Sequence, residues 1–240
     1  MKSVKILIFI LCLIFSMEYE RKPILLICSV GFDERFIVRT IVDFRLGIKS
    51  RDGIILFLPR DADPRSYGVI NRIEDFIRSY KLNIELFSYE IDIDDFWKGA
   101  GRVRKILEEI LDRIGPEMVY VMLGGGMRLL ILEILIGTVA AGVRGEIIVY
   151  KEDLTGKSSF PINILRMEKP STSLIQLLEK IVEKPGISFS ELSDLLKISK
   201  STLHKRLRTL QHMGLVSIEK IGKSVRISPL PYAHFWLDGK

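Results

Sequence analysis

The stretch MVYVMLGGGMRLLILEILIGTVAA, residues 118–141, decides the fold. Met118–Leu123 is a short, apolar, partly β-branched run, the length and composition of a buried strand. Gly124, Gly125 and Gly126 interrupt it. Met127–Ala141 is then almost wholly apolar and too long for a strand. It suits a helix buried against a sheet or against a second subunit. Strand, glycine turn and buried helix in direct succession are one unit of an α/β domain.

The same alternation runs outward on both sides. Upstream lie strand runs Ile24–Ser29, Ile54–Leu58 and Ile84–Tyr89. Between them are helical patterns Asp33–Ile48, with Phe36, Ile37, Thr40, Ile41 and Phe44 on one face, Pro64–Tyr80 and Asp94–Ile114. Downstream, Glu146–Tyr150 reads as a fifth strand and Phe160–Leu165 as a sixth. Apolar strands alternating with helices predict a mostly parallel sheet, covered on both faces and joined by right-handed crossovers. Residues 22–165 therefore form a Rossmann-like α/β domain.

After a linker at residues 166–172 the pattern changes. Ser173–Lys184 is an amphipathic helix broken by Pro185-Gly186. Ser190–Leu196 is a short helix with Ser190 as its expected N-cap, Lys197–Lys200 is a turn, and Ser201–Met213 is a third helix stopped by Gly214. Leu215–Lys220 and Ser224–Ile227 form a hairpin across Ile221-Gly222-Lys223. Helix, helix, turn, helix and basic hairpin make a small winged helix-turn-helix over residues 173–230, with 231–240 a tail. Leu203, Leu207 and Leu210 face its core. Ser199, Lys200, Ser201, Thr202, Lys205 and Arg206 are expected on the outer face, with Lys220, Lys223 and Arg226 on the wing. Hydroxyls and cations so placed can reach base edges and phosphates of double-stranded DNA. A winged helix that contacts only protein would carry these charges as a solvated face. The charge distribution argues against that. Residues 173–230 hold ten Lys/Arg against five Asp/Glu, whereas residues 23–165 hold 19 against 21. The chain's net +6 is thus concentrated where a polyanion would dock.

Two cysteines, Cys12 and Cys28, are too few for a disulfide framework, and no Cys/His spacing suggests a metal site. A reducing, cytoplasmic setting follows. Residues 1–21 are an apolar leader. Its run Val4–Phe15 falls well short of the roughly 20 residues that a membrane span requires, so no membrane association is expected. No small-x-small cleavage site follows, and a DNA-binding protein should not be exported. Met17 is the expected natural start, the alternative being an extra strand or helix packed on the domain.

In parallel sheets ligands bind at the carboxyl ends of strands. Two loops stand out there: Ser29-Val30-Gly31-Phe32 after the first strand, and Gly124-Gly125-Gly126-Met127-Arg128 after the fourth. The glycines permit close backbone approach, the helix start favours an anion, and Arg128 adds a charge-assisted partner for phosphate. A tight turn that needs glycine for packing explains the same residues equally well. There is neither a G-x-G-x-x-G fingerprint nor a Walker lysine, so no cofactor is expected. Cys28 reads as a buried strand residue, Ser29 as a ligand contact or a helix cap, and Trp97 as a packing residue. Asp92, Asp94 and Asp95 read as helix-capping and solvated carboxylates. No catalytic residue is assigned.

Ser29-Val30-Gly31-Phe32 followed by Asp33 and Phe36, paired with Gly124-Gly125-Gly126-Met127-Arg128, resembles the CRISPR-associated Rossmann-fold (CARF) proteins. With the C-terminal winged helix, the chain resembles the archaeal transcriptional regulators of that family over roughly Lys22 to Leu230. The resemblance implies a homodimer through the CARF domains. It implies a cyclic oligoadenylate such as cyclic tetra-adenylate held by the two glycine-bearing loops, and regulation of CRISPR-locus promoters in antiviral defence. Some relatives cleave the ring, so a ring nuclease is the alternative activity.

Overall fold

The computed structural model describes residues 21–48, 50–166, 168–221 and 224–237. Residues 1–20 of the leader and Lys223 lie outside them. The chain divides into two compact units between Ile162 and Asn163. That is a few residues before the expected linker, because Ile162 is buried in the first core.

The first unit follows the order β1 (Ile24–Ser29), α1 (Arg35–Asp43), β2 (Asp52–Pro59), α2 (Pro64–Ser79), β3 (Ile84–Ile91), α3 (Phe96–Ile114), β4 (Met118–Met122), α4 (Arg128–Ala140), β5 (Glu146–Tyr150) and β6 (Lys157–Pro161). Its sheet runs β3-β2-β1-β4-β5-β6, with β1 to β5 parallel and β6 antiparallel to β5. The last strand is Lys157–Pro161 rather than Phe160–Leu165. Pro161 offers no N–H to continue the ladder, and Ile162–Arg166 winds into a 3₁₀ turn. Helix starts follow local chemistry. Asp63 caps α2 ahead of Pro64, and Asp95 caps α3, which ends on Gly115 in the left-handed region.

Alternation along β1 assigns the two layers. Leu25 and Ile27 pack with Val103 and Leu107 of α3 and Leu130 and Ile134 of α4. Leu26 and Cys28 pack with Ile37 and Ile41 of α1 and Val69 and Ile73 of α2. Each such fully buried aliphatic side chain contributes about 1.5–3 kcal/mol. The first two helices thus cover one face and the next two the other. Strand order reverses between β1 and β4, the place where an open α/β sheet offers a crevice.

The second unit contains α5 (Thr172–Glu183), β7 (Ile187–Ser188), α6 (Phe189–Leu196), α7 (Lys200–His212), β8 (Val216–Ile221) and β9 (Ser224–Pro229). Leu177, Ile181, Leu192, Leu203, Leu207, Leu210 and Ile227 form its core. Three details depart from expectation. Ser188, not Ser190, caps α6: its hydroxyl accepts the Glu191 amide at 3.3 Å, the Ser-x-x-Glu spacing of a capping box. The two residues of β7 pair with β9 and make the wing three-stranded. The expected tail belongs to the domain: Pro231–Trp236 forms a 3₁₀ turn that buries Ala233 in the core, with Tyr232 and Trp236 packed against it. Among the described residues no helix is long and apolar enough to cross a membrane.

Candidate functional site

The two loops singled out in the sequence meet at the carboxyl ends of β1 and β4. Their contact is backbone against backbone. A Cβ on Gly31 would stand 2.6 Å from the Gly126 nitrogen, and one on Gly126 would stand 2.7 Å from the Val30 carbonyl oxygen. Gly126 also has φ +96°, a conformation that disfavours any side chain. Ser29 is buried and its hydroxyl donates to the Gly125 carbonyl. That hydroxyl therefore does not cap the first helix; it ties one loop to the other. Val30 is likewise a core residue, its amide donating to the Phe57 carbonyl at 2.8 Å.

Beside this junction lies a cleft of about 660 Å³. Of the expected ligand residues, Val30, Gly31, Phe32, Gly126 and Met127 line it, whereas Ser29, Gly124, Gly125 and Arg128 do not. Phe32 is 56% exposed, far more than an aromatic ring needs to be for packing. Arg128 is exposed at the first position of α4. That helix begins without a side-chain cap and without an acidic residue in its first turn, as α1 and α5 also do. Its first amides are accordingly available to an anion.

Only part of the far wall of the cleft was legible in the sequence, where Asp92 and Asp94 read as helix-capping and solvated carboxylates. It is built by Pro59–Asp63 and Ser66 after β2 and by Asp92–Asp94 after β3. Their position at strand carboxyl ends was the available signal, but neither segment carries a recognisable motif. Arg60 pairs with Asp92 at 2.9 Å. The Asp63 carboxylate receives Arg65 Nε and an Arg65 terminal nitrogen, each at 3.0 Å, and this guanidinium holds it below the usual carboxylate range. The Arg65 guanidinium in turn lies 4.1 Å over the Phe32 ring. Asp95 is used as a helix cap, as expected, and Trp97 is exposed rather than packed into the core.

Burial pushes the Cys28 thiol well above its ordinary range, which suits an inert core residue. Glu133 on α4 is a buried acid whose two oxygens have no hydrogen-bond partner among the described residues. Desolvation, with a smaller push from Asp92, raises it to about 7. Among the described residues no cluster of three or more metal-ligating side chains occurs.

In the winged helix unit, Ser199 is the N-cap of α7, accepting the Thr202 amide at 3.2 Å. Lys200, Ser201, Thr202 and Lys205 are exposed along that helix. Arg206 is half-buried, because it flanks the inward face of Leu203, Leu207 and Leu210. Arg208, absent from the expected set, is exposed. Seven residues at about 100° each place it in line with Ser201, beside Lys205. Lys220 is exposed, and Arg226 donates to the Gly186 carbonyl at 3.0 Å while remaining at the surface.

Comparisons with known proteins agree with this architecture. The family model described as the Csa3 CRISPR-associated Rossmann-like domain matches residues 24–161. A winged helix-turn-helix DNA-binding model matches residues 171–217. A protein of Saccharolobus solfataricus whose name describes it as CRISPR locus-related and DNA-binding, Csa3, is 26% identical over 84% of this chain and 83% of its own. Among solved structures, a MarR protein from Peptoclostridium difficile is 25% identical, with a TM-score of 0.27, over 28% of this chain and 46% of its own. A ketoreductase domain from the bacillaene assembly line is 14% identical, with a TM-score of 0.31, over 50% of this chain and 28% of its own. The chain thus spans less than half the length of either of these two structures. The match over residues 24–161 covers more than half of the sequence and coincides with the sheet and the two glycine loops; the chain belongs to the Csa3 CRISPR-associated Rossmann-like family and carries a winged helix-turn-helix DNA-binding domain after it in the sequence.

Proposed function

We propose that this protein is a homodimeric, cytoplasmic transcription regulator that binds CRISPR-locus promoters through its winged helix and responds to a cyclic oligoadenylate through its Rossmann-like domain. One observation carries the reading: the backbone contact of Gly31 with Gly126, at the strand-order reversal and beside the uncapped start of α4. A nucleotide phosphate is the anion that such a helix start and Arg128 together would hold.

Dimerisation finds support on α4. Leu129, Leu132 and Ile136 are 39%, 50% and 40% exposed and lie on one stripe of the helix opposite Leu130 and Ile134. An apolar stripe of this kind suits an isologous interface, which would bring two copies of the site to one two-fold axis. A two-fold symmetric ring fits such a site. Regulation then requires the ring to bind two dimer geometries with different affinity, altering the spacing of the two recognition helices.

The test is fluorescence anisotropy on labelled promoter DNA of the host's CRISPR locus, with and without cyclic tetra-adenylate. A ligand-dependent change in DNA affinity supports both domains and their coupling. DNA binding that cyclic di-, tetra- and hexa-adenylate all leave unchanged rejects the sensor half of the proposal.

A further inference from the structure

We infer that an apolar groove between α1 and α2 is the docking site of this chain's own leader, residues 4–15. The groove shares no residue with the cleft, so it stands apart from the nucleotide reading above.

Two adjoining hollows form the groove. The first, of about 550 Å³, is walled by Ile48, Tyr80 and Leu82, and among the described residues Arg45 is its one charged lining. The second, of about 460 Å³, continues past Val38 to Leu154. Val42 and Phe76 line both, which makes the groove continuous. Val42, Ile48 and Tyr80 are each more than half exposed. Contiguous apolar surface of this kind marks a place where another segment packs. A dimer made through the stripe of α4 would leave it uncovered, because α1 and α2 pack on the opposite face of the sheet.

The chain supplies an occupant of matching chemistry. Residues 4–15 are eleven apolar residues and one lysine. They join the domain at Arg21, and that junction is fixed. Arg21 donates to the two oxygens of Asp52 at 3.1 and 2.6 Å and to the Arg45 carbonyl at 3.3 Å. Asp52 is fully buried and also accepts the amides of Ile24 at 2.8 Å and Gly47 at 2.7 Å. Arg45 lines the groove, so the leader leaves the domain at the groove's mouth. Six residues from Phe15 to Arg21 reach at most about 20 Å, ample for that distance. Twelve residues cover about 18 Å even as a helix, enough to follow the nine residues of α1, which rise about 14 Å. A segment tethered this closely meets the groove at a high effective concentration, ahead of a second copy or a separate protein. Docking there lets a chain that begins at Met1 bury a run that water would otherwise solvate poorly.

Cys12 reports the docking, since the other cysteine, Cys28, is fully buried. The experiment is maleimide labelling of the full-length protein, native and in urea, beside a Val42→Lys, Ile48→Lys variant. Both side chains are exposed at the groove, so the core is left intact. Cys12 should label at least about tenfold more slowly in the native protein than in urea, and the variant should bring the native rate to within about twofold of the urea rate. Thermal melts separate docking from folding. The two substitutions should lower the melting temperature of the full chain and leave that of a chain beginning at Met17 unchanged. Native Cys12 that labels as fast as in urea overturns the docking. So does protection that the variant leaves in place. Protection that rises with protein concentration, or only with added phospholipid vesicles, overturns it in favour of a second copy or a lipid surface.

Discussion

Gly31 and Gly126 touch through their backbones: a Cβ added to Gly31 would stand 2.6 Å from the Gly126 nitrogen and 3.3 Å from the Gly125 carbonyl carbon. Neither atom belongs to a flexible side chain, so the loops would have to separate. Gly31→Ala should therefore lower the melting temperature of the Rossmann-like unit, by a loss of roughly 1–3 kcal/mol typical of overpacking. It should weaken ligand binding as well. Gly101→Ala is the contrast. No atom lies within 4 Å of its added Cβ inside α3, and replacing a mid-helix glycine should raise stability by about 0.5–1 kcal/mol. Thermal melts of the two variants check both signs.

Arg128 is exposed at the first position of α4, outside the apolar core. Arg128→Ala should weaken the response to cyclic tetra-adenylate while basal DNA affinity stays within about twofold. Anisotropy titrations with and without the ring measure the two separately. A collapse of basal binding would mean that the loop is structural.

Lys205 and Arg208 share the exposed stripe of α7, and Arg206 flanks its buried face. Lys205→Ala with Arg208→Ala should weaken DNA binding and reduce the slope of log affinity against log salt by about 2. Arg206→Ala should reduce the slope less. Equal effects from both changes would show that the helix is rotated on the DNA relative to this assignment.

Glu133 is buried without a hydrogen-bond partner among the described residues, and desolvation raises its carboxyl from 4.5 to about 7. Raised in the folded state, this acid favours folding while protonated. Its penalty begins as pH rises above the unfolded value and is complete above the folded one. Stability should therefore fall between pH 5 and pH 8. At about 1.4 kcal/mol per pH unit the full penalty is on the order of 3 kcal/mol. Glu133→Gln should raise the melting temperature at pH 8 and change it little at pH 5. Denaturant melts across this range test the sign.

Leu132 and Ile136 lie on the exposed apolar stripe of α4. Leu132→Asp should convert a dimer to a monomer in sedimentation experiments without lowering the melting temperature of the monomeric fold. It should also weaken promoter binding, because two half-sites would no longer be engaged together. An unchanged sedimentation coefficient would place the dimer interface elsewhere.

Hydrophobic period and turn chemistry made most of the fold legible in advance. The strands β1 to β5, the four helices between them and the winged helix were recoverable because each is a local pattern repeated along the chain. Boundaries moved where one residue decided the outcome, as with Pro161 ending β6 and Ser188 capping α6. Ala233 and Trp236 looked like tail because their value lies in a core assembled from distant residues.

Sequence alone determined that Gly31 and Gly124–Gly126 sit after two strands of a parallel sheet and that the positive charge lies in the second unit, since composition and spacing are properties of the chain itself. Only the tertiary structure decided what those residues do. Strand order set β1 beside β4, which turned Ser29 inward to bind Gly125 and spent Gly31 on contact with Gly126. Strand order likewise set β2 and β3 beside them, so that Asp61, Asp63, Asp92 and Asp94, with no motif of their own, became one wall of a cleft. Register along a chain is local, but a cleft is built from residues that the sheet makes neighbours, and its order is fixed by crossovers and burial rather than by adjacency in sequence.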